Sequence, residues 1–112
     1  MERQNFYNLL KIPDAKVCFF VDKNWSQWSQ LAYNYSKDNN LIYQNHIGFC
    51  TVINQSTNTV FNIVTPSAIS ILARCHFLFV DSDINENIKT EIYLSYSPHE
   101  YNPLSKEFKR KE

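Results

Sequence analysis

Residues 65–83, TPSAISILARCHFLFVDSD, constrain the fold more tightly than any other stretch of the chain. Thr65 is a favoured helix N-cap type, and Pro66 suits the first helical position because no backbone donor is lost there. Ile69, Leu72 and Ala73 then share a helical face, which predicts a helix reaching Cys75 or His76. From His76 the spacing changes to an uninterrupted apolar run, Phe77-Leu78-Phe79-Val80, that stops at Asp81. A run of this kind is expected of an element buried on both sides, either a central strand or the end of a buried helix. The stretch predicts the core.

The remaining elements are read around it. Phe6, Leu9 and Leu10 fall at helical spacing between Glu2 and Ile12, and Pro13 ends that helix by forcing its predecessor out of the helical region. Lys16 to Asp22, KVCFFVD, is β-branched and aromatic and too short for a helix, so it predicts a strand. A second helix is expected over Asp22 to Tyr35, capped by Asp22 or Asn24. Its stripe of Trp25, Trp28, Leu31, Ala32 and Tyr35 should pack on a sheet. Leu41 to Val64 reads as a β-hairpin turning through Asn54 to Asn58, with Gly48 marking a bulge or a close approach in its first strand. Asp81 to Asn87 reads as an acidic loop. Ile88 to Ser97 reads as a last strand, because Thr90, Ile92, Leu94 and Tyr96 alternate with Lys89, Glu91, Tyr93 and Ser95.

This order predicts an α+β fold: a single mixed or mostly antiparallel sheet of about five strands with two to three helices packed on it, on one face. The length of 112 residues fits a single domain, taken as residues 1–104, followed by a polar tail over 105–112. Asn is abundant beside a single Gly, and Asn is expected to fill the left-handed turn positions that Gly usually takes.

Composition excludes several classes of function. Lys plus Arg equals Asp plus Glu at 11 each, so the basic excess of a nucleic-acid binder is missing. The cysteines Cys18, Cys50 and Cys75 lie in apolar runs without metal-type spacing, which predicts small hydrophobes in a reducing cytoplasm. Met1 to Asn5 leads into a polar amphipathic segment, so no secretory leader is expected. No apolar run approaches the ~20 residues of a membrane span. One Gly cannot build a phosphate-binding loop.

Candidate chemistry is correspondingly thin. Cys75 and His76 are adjacent, but neighbours on a helix or strand point about 100° or 180° apart, which argues against a thiolate pair. His46 and His99 could form a ribonuclease-like pair, although nothing in their spacing requires it. Asp81, Asp83 and Glu86 are dense in carboxylates, yet they lack the Gly and the distal Glu of a calcium loop. No catalytic residue, metal ligand or cofactor is predicted.

The expected function is that of a non-enzymatic cytoplasmic protein that binds and blocks another macromolecule. Examples are an immunity protein neutralising a toxin, a basic nuclease among them, or a phage inhibitor of host defence. Asp81, Asp83, Glu86, Glu91 and Tyr93 are the expected partner contacts, acidic residues meeting a basic protein and an aromatic ring supplying the anchor. The competing reading is a small enzyme or ligand-binding domain. It would have an apolar pocket between the Trp25/Trp28 helix and the sheet, and His46 or Asp22 as its acid–base group.

Overall fold

The structure, a computed structural model, describes residues 1–69 and 75–96 together with the backbone of 99–100 and 109–110. Its elements run α1 (Arg3–Leu9), β1 (Lys16–Phe20), α2 (Trp25–Asp38), β2 (Ile42–His46), β3 (Phe49–Asn54), β4 (Thr59–Val64), β5 (Phe77–Val80), α3 (Glu86–Ser95), β6 (His99–Glu100) and β7 (Lys109–Arg110). Five strands form one mixed sheet in the order β2-β3-β4-β1-β5. β2, β3 and β4 are a meander of antiparallel neighbours, while β1 runs parallel to both β4 and β5. The predicted α+β fold with a single mixed sheet is the fold observed. Within the segment expected to be a polar tail, Lys109–Arg110 pairs antiparallel with His99–Glu100.

β1 lies between β4 and β5, and Val17, Cys18, Phe19 and Phe20 are all fully buried. Successive strand residues point to opposite faces, so an unbroken apolar strand needs cover on both. The helices are accordingly split between two faces, not gathered on one. Val17 and Phe19 join Phe61, Ile63 and Val52 under α1 and α2, where Phe6, Leu10 and Ala32 close the layer. Cys18 and Phe20 join Val64 and Cys75 on the opposite face, covered by Ile84 and Ile92.

Three further expectations are corrected. The apolar run Phe77–Val80 is the terminal strand of the sheet order, and Phe79 is 37% exposed. The position flanked by strands on both sides belongs to β1, whose apolar run is equally continuous. Second, the expected hairpin over Leu41 to Val64 has an additional strand, β2, so Gly48 occupies the turn between β2 and β3. Gly48 has φ +83°, and a Cβ there would stand 3.0 Å from Ser67 Oγ and 3.3 Å from Thr65 Oγ1. The expected close approach is therefore real, and it arises in a turn.

Third, residues expected to form the last strand form α3. Asn85 caps that helix, its side chain accepting the Ile88 N–H at 2.9 Å. Ile84, Ile88, Ile92 and Tyr96, spaced by four, all meet the second core layer. Burying Ile92 contributes about 1.5–3 kcal/mol, which outweighs the weak strand preference of its β-branched neighbours.

Of the helix expected from Thr65, a tight 3-10 turn over 66–69 is described, closed by Ala68 N–H donating to Thr65 O at 3.0 Å. Thr65 does not cap it. Its hydroxyl and its N–H both donate to Gly48 O, at 2.7 and 2.8 Å, and hold the turn over the β2–β3 loop. Leu72 and Ala73 lie outside the described residues. Asn40 and Asn58 take left-handed φ values of 56° and 57°, the role expected of Asn, and Asp14 does the same at 58°.

Candidate functional site at the carboxyl ends of β1 and β5

β1 and β5 are adjacent and parallel, yet the chain leaves them toward opposite faces. β1 leads to α2 on the face of Phe19, and β5 leads to α3 on the face of Phe20. Divergence of this kind opens a crevice outside the carboxyl ends of the strands, the usual place for a site on a parallel sheet. Asp22 and Asn24 enter it after β1, and Asp81 and Asp83 enter after β5.

Hydrogen bonds stitch the two loops together. Asp81 N–H donates to Phe20 O at 2.9 Å, continuing the ladder one residue past the strand. Asp81 is only 7% exposed; its Oδ2 accepts from Asn24 Nδ2 at 2.9 Å and its Oδ1 from Ser82 N–H at 3.0 Å. Asp83 Oδ2 accepts from Asn24 N–H at 2.9 Å and more distantly from Asp22 N–H at 3.4 Å. Neither Asp22 nor Asn24 caps α2 with its own side chain, as the sequence suggested. The carboxylate at that helix start comes from Asp83, where the positive end of the helix dipole favours it. Asp83 Oδ1 is buried and has no hydrogen-bond partner among the described residues.

The five residues expected to contact a partner thus divide. Asp81 and Asp83 are engaged within the chain at the base of α3. Glu86, Glu91 and Tyr93 lie exposed on α3 itself. Leu94, which the sequence placed on a strand face beside Ile92 and Tyr96, is 83% exposed next to Tyr93 at 54%. On a helix with Ile88 and Ile92 facing inward, Glu86, Thr90, Tyr93 and Leu94 look outward together. Leu94 was missed because alternation assigns it to the buried face, whereas helical spacing assigns it to the surface.

The aromatic stripe of α2 packs as expected. Trp28 meets Phe19 edge-on at 5.0 Å and Phe6 at 6.2 Å, so rings fill the space between α2 and the sheet. Tyr7 of α1 stacks on Tyr35 of α2 at 4.2 Å. A broad groove of about 1090 Å³ lies between α1 and α2, with Tyr7, Trp28 and Tyr35 among its walls and Asn24 and Asp81 at one end.

The remaining candidates are dispersed. His46 stacks on Phe49 at 4.4 Å at the far end of the meander. His76 Nδ1 accepts the Lys16 N–H at 2.9 Å, and His76 N–H donates to Lys16 O at 2.8 Å, so it extends β1–β5 pairing. The side chain of His99 lies outside the described residues. All three cysteines are free and buried. Cys75 is held below the usual thiol range by a hydrogen bond from Cys18, against the effect of its burial. Cys18 is pushed up by that same bond and by burial. Burial pushes Cys50 up to about 11. Among the described residues, no group of three or more His, Cys, Asp or Glu is arranged to hold a metal ion. No helix there is long and apolar enough to cross a membrane. No family model, curated protein or solved structure matches this chain.

Proposed function

We propose that this chain is a non-enzymatic, cytoplasmic interaction protein that binds and blocks another macromolecule, in the manner of a toxin-neutralising immunity protein or a phage inhibitor of host defence. The observation that carries this reading is the outer face of α3. Tyr93 and Leu94 project from a helix anchored to the core by Ile84, Ile88 and Ile92, so two apolar side chains are presented without loop flexibility. A rigid aromatic ring beside an aliphatic residue suits a binding hot spot, and Glu86 and Glu91 on the same helix favour a basic protein partner such as a nuclease. Asp81 and Asp83 serve the surface indirectly, by fixing the start of the helix segment. Affinity purification from the native host tests the reading. A basic protein should co-purify stoichiometrically with the wild-type chain and be lost with Tyr93→Ala/Leu94→Ser. Equal capture by the variant, or no stoichiometric partner, contradicts it.

The alternative of a small ligand-binding domain or enzyme draws support from one observation. The groove between α1 and α2 is lined by Asn24 and by the carboxylate of Asp81. An acceptor in that position suits a ligand carrying a hydroxyl or ammonium group. A thermal-shift panel of polyols and primary amines tests it, with stabilisation lost in Asp81→Asn as the supporting result and no shift from any compound as the contrary one.

A further inference from the structure

We propose that two copies of this chain associate through β2, pairing antiparallel about a two-fold axis at Gln44. Among the described residues β2 bonds to β3 alone, so its outer edge is open. Exposed edges are normally protected by charge, proline or a bulge, and Ile42-Tyr43-Gln44-Asn45-His46 has none of these. The pairing of β2 with β3 sets which backbone groups are available. His46 and Phe49 flank a two-residue turn and are a hydrogen-bonded pair, as are Gln44 with Thr51 and Ile42 with Ile53. The N–H and C=O of Tyr43 and Asn45 therefore point outward, toward a neighbouring strand.

A two-fold axis at Gln44 makes these groups complementary. Tyr43 faces Asn45 of the second copy and exchanges both backbone hydrogen bonds with it, and symmetry repeats the exchange. Ile42 faces His46, and Gln44 faces its own copy, so no pair sets like charges together. The same register places Ile47 opposite Leu41 of the second copy. Ile47 is 99% exposed, and here it gains an apolar neighbour. Tyr33, 46% exposed and edge-on to Tyr43 at 5.5 Å, extends the contact along α2. The chain's formal net charge is zero, so the two copies do not repel at long range.

Sedimentation velocity on the full chain tests the pairing. The wild type should shift with concentration from 13.3 kDa toward twice that mass. Gln44→Lys sets two ammonium groups opposite each other at the axis and should weaken association at least about fivefold with an unchanged circular dichroism spectrum. Asn45→Pro removes an outward donor that β3 does not use, and it should also leave a folded monomer. An equimolar mixture of Gln44→Lys and Gln44→Glu should recover the dimer, a result that only a contact at the axis gives. A wild type that stays monomeric at its highest soluble concentration overturns the proposal, as an edge reserved for a foreign strand would require. A Gln44→Lys dimer of undiminished affinity, or failure of the mixture to associate, overturns it equally.

Discussion

Asp83 Oδ2 accepts the backbone N–H of Asn24 at 2.9 Å, across 59 residues of sequence. One carboxylate thus joins the start of α2, on one face of the sheet, to the loop that launches α3 on the other. Removing it as Asp83→Ala should cost about 1.5–3 kcal/mol, the usual range for a hydrogen bond to a charged group. For a chain of this size that lowers Tm by roughly 10 °C. Asp83→Asn, which keeps an acceptor, should lose less. Equal Tm values for Asp83→Ala and wild type in a calorimetric scan would remove the bridge from the account.

α3 itself depends on Asn85. Its side chain satisfies the Ile88 N–H, so Asn85→Ala should destabilise the protein by about 1 kcal/mol and Asn85→Ser much less. Chemical denaturation read by circular dichroism separates the two substitutions. A strand over these residues would leave the pair indistinguishable.

Gly48 is the one position where a side chain meets two obstacles together. Its φ of +83° disfavours any L-residue, and an added Cβ would approach Ser67 Oγ at 3.0 Å. Gly48→Ala should cost about 1–2 kcal/mol from the backbone alone, with a further loss if Ser67 cannot move aside. Ser67→Gly in the same background should recover part of it. Urea titration of the single and double variants measures both effects.

The strand β1, the packing stripe of α2 and the use of Asn in left-handed turn positions were legible in the sequence, because each rests on a local rule. Period, branching and turn chemistry identify them without knowledge of neighbours. The identity of α3 was not, since Ile88, Ile92 and Tyr96 satisfy two-residue and four-residue spacing alike, and only the sheet face beneath decides. Likewise Phe77–Val80 and Val17–Phe20 are equally apolar, so sequence does not rank them as edge and interior strands. The carboxylates Asp81 and Asp83 stand out in the sequence by their charge, whereas their partners, Asn24 and the Asp22 backbone, are fixed by parallel pairing of distant strands.

Alkaline conditions should weaken the fold. Burial raises Cys50 from 9.0 to about 11 and Tyr43 and Tyr96 from 10.0 to about 12. These groups keep their protons in the native state after the unfolded chain has lost them. Stability is therefore fully present below pH ~9 and declines from there toward pH ~12. Tm measured across that window should fall progressively, with Cys50→Ala flattening the lower part of the curve. The thiols Cys18, Cys50 and Cys75, all fully buried, should resist a thiol reagent at pH 8 until the protein is unfolded. A Tm independent of pH between 9 and 11 would show that burial does not perturb Cys50.

The most direct test of the account compares partner capture and stability in one pair of variants. Tyr93→Ala/Leu94→Ser changes only the outer face of α3, so it should abolish capture while holding Tm close to wild type, as surface substitutions usually do. Asp83→Asn should lower Tm and leave capture measurable below that temperature. Capture retained by the Tyr93/Leu94 variant at wild-type strength would contradict the assignment of α3 as the binding surface.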